Sequence, residues 1–259
     1  MIPEPLTLIA LVGASMVAGF IDAVVGGGGL VLIPALLIGL PQLPPASVLG
    51  TNKVAAVSGT VVAAITYVRR IALPRGRVAV AVVAAFAAAC LGAWFASSTD
   101  PAVMRPGIIV AVLAVGIYVA LRPAFGQGQS RPPRTGRWQM LALLAVAVIG
   151  FYDGIFGPGT GMFLIISLTS LLGVSFLQSA AAAKVINVAT NAGSLLIFAI
   201  GGHIYLFLGL ILAAGNIGGS YLGSALVLKK GAGLVRIALL ILVVALTTKL
   251  LLDECGIHL

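Results

Sequence analysis

The sequence predicts an all-α polytopic membrane protein made of two inverted-topology repeats, each of about five hydrophobic segments. That amounts to about eight to ten transmembrane helices, some of them short or broken. Three observations carry this reading. Of the 259 residues, 61% are hydrophobic and only 8% charged, against roughly 45–50% and about 25% in soluble domains. Apolar runs of about 20 residues recur along the chain, each long enough to cross a hydrocarbon layer ~30 Å thick. Finally, a shift of 131 residues lays one half of the chain on the other.

The repeat is explicit in the motifs. Gly19-Phe20-Ile21-Asp22 returns as Gly150-Phe151-Tyr152-Asp153, and the same ungapped shift carries Gly26 onto Gly157, Gly28 onto Gly159, Lys53 onto Lys184, Gly92 onto Gly223 and Arg105 onto Arg236. With only four Asp and five Lys in the chain, three charged positions returning with the same identity mark homologous halves. Residues 1–122 form the first repeat, 123–137 a basic connector and 138–259 the second repeat.

Taken in order, the first half has apolar segments at 6–25, 29–40, 46–68, 77–97 and 104–122. The second half answers with 138–156, 160–173, 178–200, 204–227 and 234–252. The second segment of each half is below the length of a full span, which suggests a re-entrant or broken helix. The orientation that charge sets is the same whether the first two segments of each half both span or form a re-entrant hairpin. No Lys or Arg precedes Lys53, so the basic start of a cleavable signal peptide is missing and the first run reads as a retained helix. The two cysteines, Cys90 in an apolar run and Cys255 near the C-terminus, exclude a disulfide framework.

Charge sets the expected orientation. The net charge of +9 comes from 15 basic residues, which gather in short loops as topology markers, a poor match to nucleic-acid binding. Arg69, Arg70, Arg75 and Arg77 crowd one loop, and Arg122, Arg131, Arg134 and Arg137 crowd the connector. Lys229, Lys230 and Arg236 mark a third basic site. All three are expected on the cytoplasmic side, whereas Gly201-Gly202-His203-Ile204, the counterpart of the first Arg cluster, has no Lys or Arg and is expected outside. The halves then insert oppositely and both termini face outward, into the periplasm of a bacterial inner membrane. Inverted repeats of this kind are a transporter architecture with a site near the midplane.

Three groups of residues are candidates for that site. The glycine stretches Gly26 to Gly29 and Gly157-Pro158-Gly159-Thr160-Gly161 cannot continue a stable helix. They free backbone amides inside the membrane and start half-helices whose N-termini attract anions. Gly28, Gly29, Gly159 and Thr160 are the expected contacts. Lys53 and Lys184 stand near the start of apolar helices, where a cation is costly and needs compensation or a task. Asn187, Asn191 and Ser194 continue a polar stripe from Lys184 on one helical face, and Thr60 with Asn52, Thr51 and Ser58 makes a thinner version in the first half. Asp22 and Asp153, one turn before the breaks, admit three roles: ion pairs that neutralise the empty site, proton carriers, or carboxylates accepting freed N–H groups.

Other features read as structural. Gly215, Gly219 and Gly223, with Ala84, Ala88 and Gly92, form close-packing faces. Arg105 and Arg236 sit at membrane boundaries and snorkel. Asn216 either lines the cavity or bonds a neighbouring helix. His203 and His258 have no second ligand at metal spacing, so no metal or other cofactor is expected. No Ser-His-Asp, HExxH, P-loop or paired-cysteine motif appears, which argues against an intramembrane hydrolase and an ATP-driven pump.

The combination of Gly19-Phe20-Ile21-Asp22, the glycines through Gly29, Gly50-Thr51-Asn52-Lys53, and the second set from Gly150 through Gly161 with Ala183-Lys184 resembles the sulfite exporter TauE/SafE family of bacterial permeases. The resemblance covers essentially the whole chain. It implies an inner-membrane transporter, usually an exporter, of sulfur-containing anions such as sulfite or organosulfonates. Ala183 stands where the first half has Asn52, so the two halves are not expected to treat a substrate identically. The expected partners are a small anion, the lipid bilayer and protons as a coupling ion. A passive anion channel and a non-transporting scaffold subunit are the rival readings.

Overall fold

A computed structural model describes residues 3–121 and 136–230. The predicted segment 234–252, most of the connector, Arg236, Cys255 and His258 lie outside these residues. Nine helices and no strands occur among the described residues: α1 (Pro5–Val25), α2 (Gly29–Gly39), α3 (Pro45–Val68), α4 (Arg75–Ser98), α5 (Pro101–Leu121), α6 (Arg137–Ile155), α7 (Thr160–Leu172), α8 (Phe176–Ile200) and α9 (Leu206–Lys230). Seven of these are long and apolar enough to cross a membrane, and α2 and α7 are the two short ones. The protein is therefore a multi-pass helical membrane protein.

Its surface and interior exchange the roles they have in water. Leu6, Ile9, Val83, Trp94, Val110, Leu144 and Ile200 are exposed, while Ser15, Lys53, Thr60, Lys184, Asn191 and Ser220 are buried. Exposed apolar side chains cost nothing against lipid tails, so packing and internal polar contacts, more than burial of oil, hold such helices together.

The helix pairings obey the repeat. α1 packs on α9 and α4 on α6; α3 packs on α9 and α4 on α8; α3 packs on α8. Under the 131-residue shift the first two pairings exchange, as do the next two, and the last maps onto itself. That is the behaviour of a pseudo-two-fold axis passing between α3 and α8.

The expected close-packing faces are present. A methyl group on Gly219 or Gly223 would collide with the Met16 or Phe20 carbonyl of α1, and one on Gly92 with the Phe151 carbonyl of α6. In α4 the buried residues beside Gly92 are Ala85, Ala89, Ala93 and Ala96, one position along from the Ala84 and Ala88 of the sequence reading. Polar contacts reinforce α1 on α9. The Ser15 hydroxyl donates to the Leu212 carbonyl at 2.7 Å, the Asn216 amide to the Ser15 carbonyl at 3.1 Å and the Ser220 hydroxyl to the Gly19 carbonyl at 3.1 Å.

The short helices fold back on the helices before them. α1 ends at Gly26, whose φ of 83° is the left-handed conformation open to glycine. α2 then runs back along α1, with Gly28 against Ala18 and Asp22, and Gly39 against Thr7 and Leu11. At 11 and 13 residues, α2 and α7 reach only about 16 to 20 Å. Each half thus opens with a hairpin whose tip lies inside the bundle.

Candidate functional site

The two hairpin tips meet. The Met162 amide, in the first turn of α7, donates to the Gly26 carbonyl at 3.3 Å. Neither α2 nor α7 has a side-chain cap. Among the described residues nothing accepts from the amides of Gly28, Gly29 and Gly161. Two tyrosines fix the tips: Tyr67 donates to the Ala23 carbonyl at 3.0 Å and Tyr152 to the Pro158 carbonyl at 2.7 Å.

The four repeated charges converge there as two crossed ion pairs. Lys53 of the first half binds Asp153 of the second at 2.8 Å, and Lys184 of the second binds Asp22 of the first at 3.0 Å. Each lysine therefore serves the carboxylate of the opposite half. Lys184 and Lys53 are 0% and 2% exposed, so leaving either one unpaired would strand a charge in the bundle.

Their other partners differ. The Lys53 ammonium also donates to Asn191 Oδ1 at 3.1 Å. Lys184 also donates to the main-chain carbonyl of Asp22, the same oxygen that accepts the Gly26 amide at the end of α1. Asp153 Oδ1 accepts from the Thr160 hydroxyl at 2.7 Å, and Asp22 Oδ2 from the Thr60 hydroxyl at 3.3 Å.

A cavity of about 20 Å³ lies between the tips, against a minimum of ~10–15 Å³ to hold one water. Asp22, Gly28, Gly29, Asn52, Lys53, Asp153, Thr160, Asn187 and Asn191 all line it. Three of the sequence candidates do not: Lys184 is sealed beneath Asp22, Gly159 faces Val115, and Thr60 stands behind Asp22 and Asn191. Asn216 does both things expected of it, lining the cavity and bonding α1.

Two amides in this cavity are under-used. Asn52 is 3% exposed, yet no hydrogen bond engages its side chain among the described residues. Asn187 accepts from Thr190 and Asn191, while its own nitrogen has no acceptor among the described residues. The cavity thus gathers an ammonium, two side-chain amides and free backbone amides, a set of donors suited to an anion. No group of three His, Cys, Asp or Glu able to hold a metal occurs among the described residues.

Sequence reasoning missed several contributors. Tyr67, Tyr152, Ser15 and Ser220 shift by 131 onto Phe198, Ile21, Val146 and Ala89, so a search for repeated residues passes over them. Their signal was a hydroxyl inside an apolar run. Ser194, on the polar stripe, donates its hydroxyl to the Thr190 carbonyl at 2.8 Å and so does not offer it to the cavity.

A multi-pass bundle with two hairpins and a charged, polar centre belongs to the class of membrane transport proteins, and sequence comparison gives the same class. The sulfite exporter TauE/SafE family matches residues 11–250, and the chain belongs to that family. A "Probable membrane transporter protein" of Haemophilus influenzae is 36% identical over 251 residues, covering 97% of each chain. The "Probable membrane transporter protein YfcA" of Escherichia coli K12 is 34% identical over 253 residues, covering 98% of this chain and 93% of that one. No solved structure matches. The protein is a membrane transporter of the TauE/SafE family.

Proposed function

We propose that this transporter is a secondary carrier of a small anion, sulfite or an organosulfonate, taken up between the hairpin tips and moved outward across the bacterial inner membrane. Lys53 supplies the charge; Asn52, Asn187, Asn191, Thr160 and the Gly28 and Gly29 amides replace hydration. Lys184, with Thr60, holds Asp22 and the end of α1. Asp22 and Asp153 keep the empty site neutral.

The observation that carries this reading is the Lys53 ammonium at the cavity wall, balanced by a carboxylate from the opposite half. An incoming anion replaces that carboxylate on the same ammonium. Transport fits the crossed pairs better than enzymatic chemistry does, because the carboxylates that the Thr160 and Thr60 hydroxyls reach, Asp153 and Asp22, are already neutralised by lysines. A carrier also fits better than a channel, since room for about one water beside two ion pairs is no open pore. The Arg69–Arg77 loop faces the cytoplasm and both termini face out, with rocking of one half against the other giving alternating access.

The test is sulfite flux into liposomes containing the purified protein. Lys53→Ala is expected to abolish concentrative flux; a folded variant transporting at the wild-type rate overturns the reading. Strictly downhill conductance in the wild type identifies a channel instead.

A further inference from the structure

The two crossed ion pairs are repeat equivalents, but they are not built alike. Lys184 is held by both the carboxylate and the main-chain carbonyl of Asp22, and that carbonyl also closes α1 through the Gly26 amide. Releasing Lys184 would loosen the helix end. Lys53 holds only side chains, the Asp153 carboxylate and Asn191 Oδ1, and both can rotate away. Lys53–Asp153 is therefore the pair that can open.

The carboxyl side of that pair has a partner suited to two protonation states. The Thr160 hydroxyl has one proton and two acceptors in reach, Asp153 Oδ1 at 2.7 Å and the Gly157 carbonyl at 2.9 Å. While Asp153 is ionised, the hydroxyl donates to Oδ1. When Oδ1 carries a proton, Thr160 turns its own proton to Gly157 and its oxygen accepts from the acid. In either state Asp153 Oδ1 keeps a bond to Thr160. The position equivalent to Thr160 is Gly29, which offers Asp22 no hydroxyl. Thr60 reaches Asp22 only at 3.3 Å and has a closer acceptor in the Ala56 carbonyl at 2.7 Å.

We propose that Asp153 is the proton-binding group of this transporter, that its protonation frees Lys53 for the anion, and that Thr160 positions the proton by serving both forms of the carboxyl. The proposal rests on the anion-carrier reading above and adds its coupling ion. The balance is simple. Two lysines and two aspartates sum to zero. A monoanion alone would leave one unbalanced charge beside space for one water, which a low-dielectric interior penalises heavily. One proton added to Asp153 Oδ1 as the anion replaces the carboxylate at Lys53 Nζ restores zero. Transport of a monoanion with its proton is then electroneutral, and it runs outward when the anion's inside-to-outside ratio exceeds the opposing proton ratio.

Among the described residues the other carboxylate at the cavity is Asp22, held by Lys184. From α3, Lys53 faces Asp153; from α7, Thr160 does. From α8 come neutral Asn187 and Asn191 and the Lys184 ammonium already bound by Asp22 of α1. The α4 face against α6 consists of Ala85, Ala89, Gly92 and Ala93. Tyr152, next to Asp153, is engaged with the Pro158 carbonyl.

The experiment uses the full chain in liposomes with labelled methanesulfonate, a strong-acid monoanion whose own charge does not change between mildly acidic and neutral pH. In the wild type, affinity is expected to rise by up to about tenfold for each unit of acidification, and an imposed pH gradient to drive accumulation without dependence on voltage. Asp153→Asn mimics the protonated carboxyl. It is expected to bind with no pH slope and to exchange label without accumulating it. Thr160→Val removes the stronger, charge-assisted bond to the ionised form, so the pH profile moves to higher pH, and Thr160→Ser restores it. A pH slope that survives in Asp153→Asn, or a Thr160→Val profile that overlays the wild type, overturns the proton assignment alone. If wild-type protein neither binds nor exchanges methanesulfonate or sulfite, the anion-carrier reading fails and takes this one with it.

Discussion

Asn191 donates its side-chain amide to the Thr60 hydroxyl at 3.5 Å, and the two residues are 131 positions apart, the same interval that relates the repeats. A residue in contact with its own repeat equivalent lies on the two-fold axis. That contact marks the centre of the molecule, and Lys53 and Asp22 reach it from either side through Asn191 and Thr60.

The crossed pairs should show strong energetic coupling. Lys53→Ala strands the Asp153 carboxylate and is expected to cost about 3 to 5 kcal/mol, whereas Lys53→Ala with Asp153→Ala removes both charges and should cost less than the sum of the singles. Denaturation in detergent measures the cycle, and additive losses would show that the pair is not a unit.

Asn52 separates binding from folding. Its buried side chain has no partner to lose, so Asn52→Ala should leave thermal stability nearly unchanged while anion flux falls at least about tenfold, the equivalent of one charge-assisted hydrogen bond of roughly 1.5 kcal/mol or more. A wild-type rate would remove Asn52 from the site.

The α1–α9 contact offers an internal control. Gly218 has open space where a Cβ would go, while Gly219 meets the Met16 carbonyl. Gly218→Ala should stabilise the helix by up to about 1 kcal/mol. Gly219→Ala should destabilise the protein and lower its yield. Equal effects in a thermal-shift assay would contradict this packing.

Tyr152 fixes the second hairpin tip by one bond, to the Pro158 carbonyl. Tyr152→Phe should cost about 1 kcal/mol and slow transport more than Tyr221→Phe does, since the Tyr221 ring is exposed on the outside of the bundle. Flux and melting temperature for the two variants check this.

Orientation can be read with single cysteines at open glycines. Gly76 has nothing within contact distance of a Cβ; Gly136 and Gly202 have the same space but left-handed φ of 63° and 72°, so a cysteine there carries backbone strain of about 1 kcal/mol. In the Cys90→Ser/Cys255→Ser background, Gly202→Cys should react with a membrane-impermeant maleimide from outside the cell. Gly76→Cys and Gly136→Cys should react only after the membrane is opened. The reverse pattern inverts the topology.

Much of this was determined by the sequence alone. Hydropathy fixes the membrane class because about 20 apolar residues satisfy their own backbone and have no other stable home. The 131-residue shift picks out Asp22, Lys53, Asp153 and Lys184 as the charges that matter. Only the tertiary structure decided how those four combine. A two-fold axis is satisfied equally by pairs within each half and by pairs across it, so symmetry cannot choose; the packing of α3 and α8 across the axis joins Lys53 to Asp153 and Lys184 to Asp22. Packing also folded the short segments back as hairpins. It set Lys53 at the cavity and sealed Lys184 beneath Asp22, because a few unrepeated residues, Thr160 opposite Gly29 and Asn52 opposite Ala183 among them, make two equivalent sites chemically unequal.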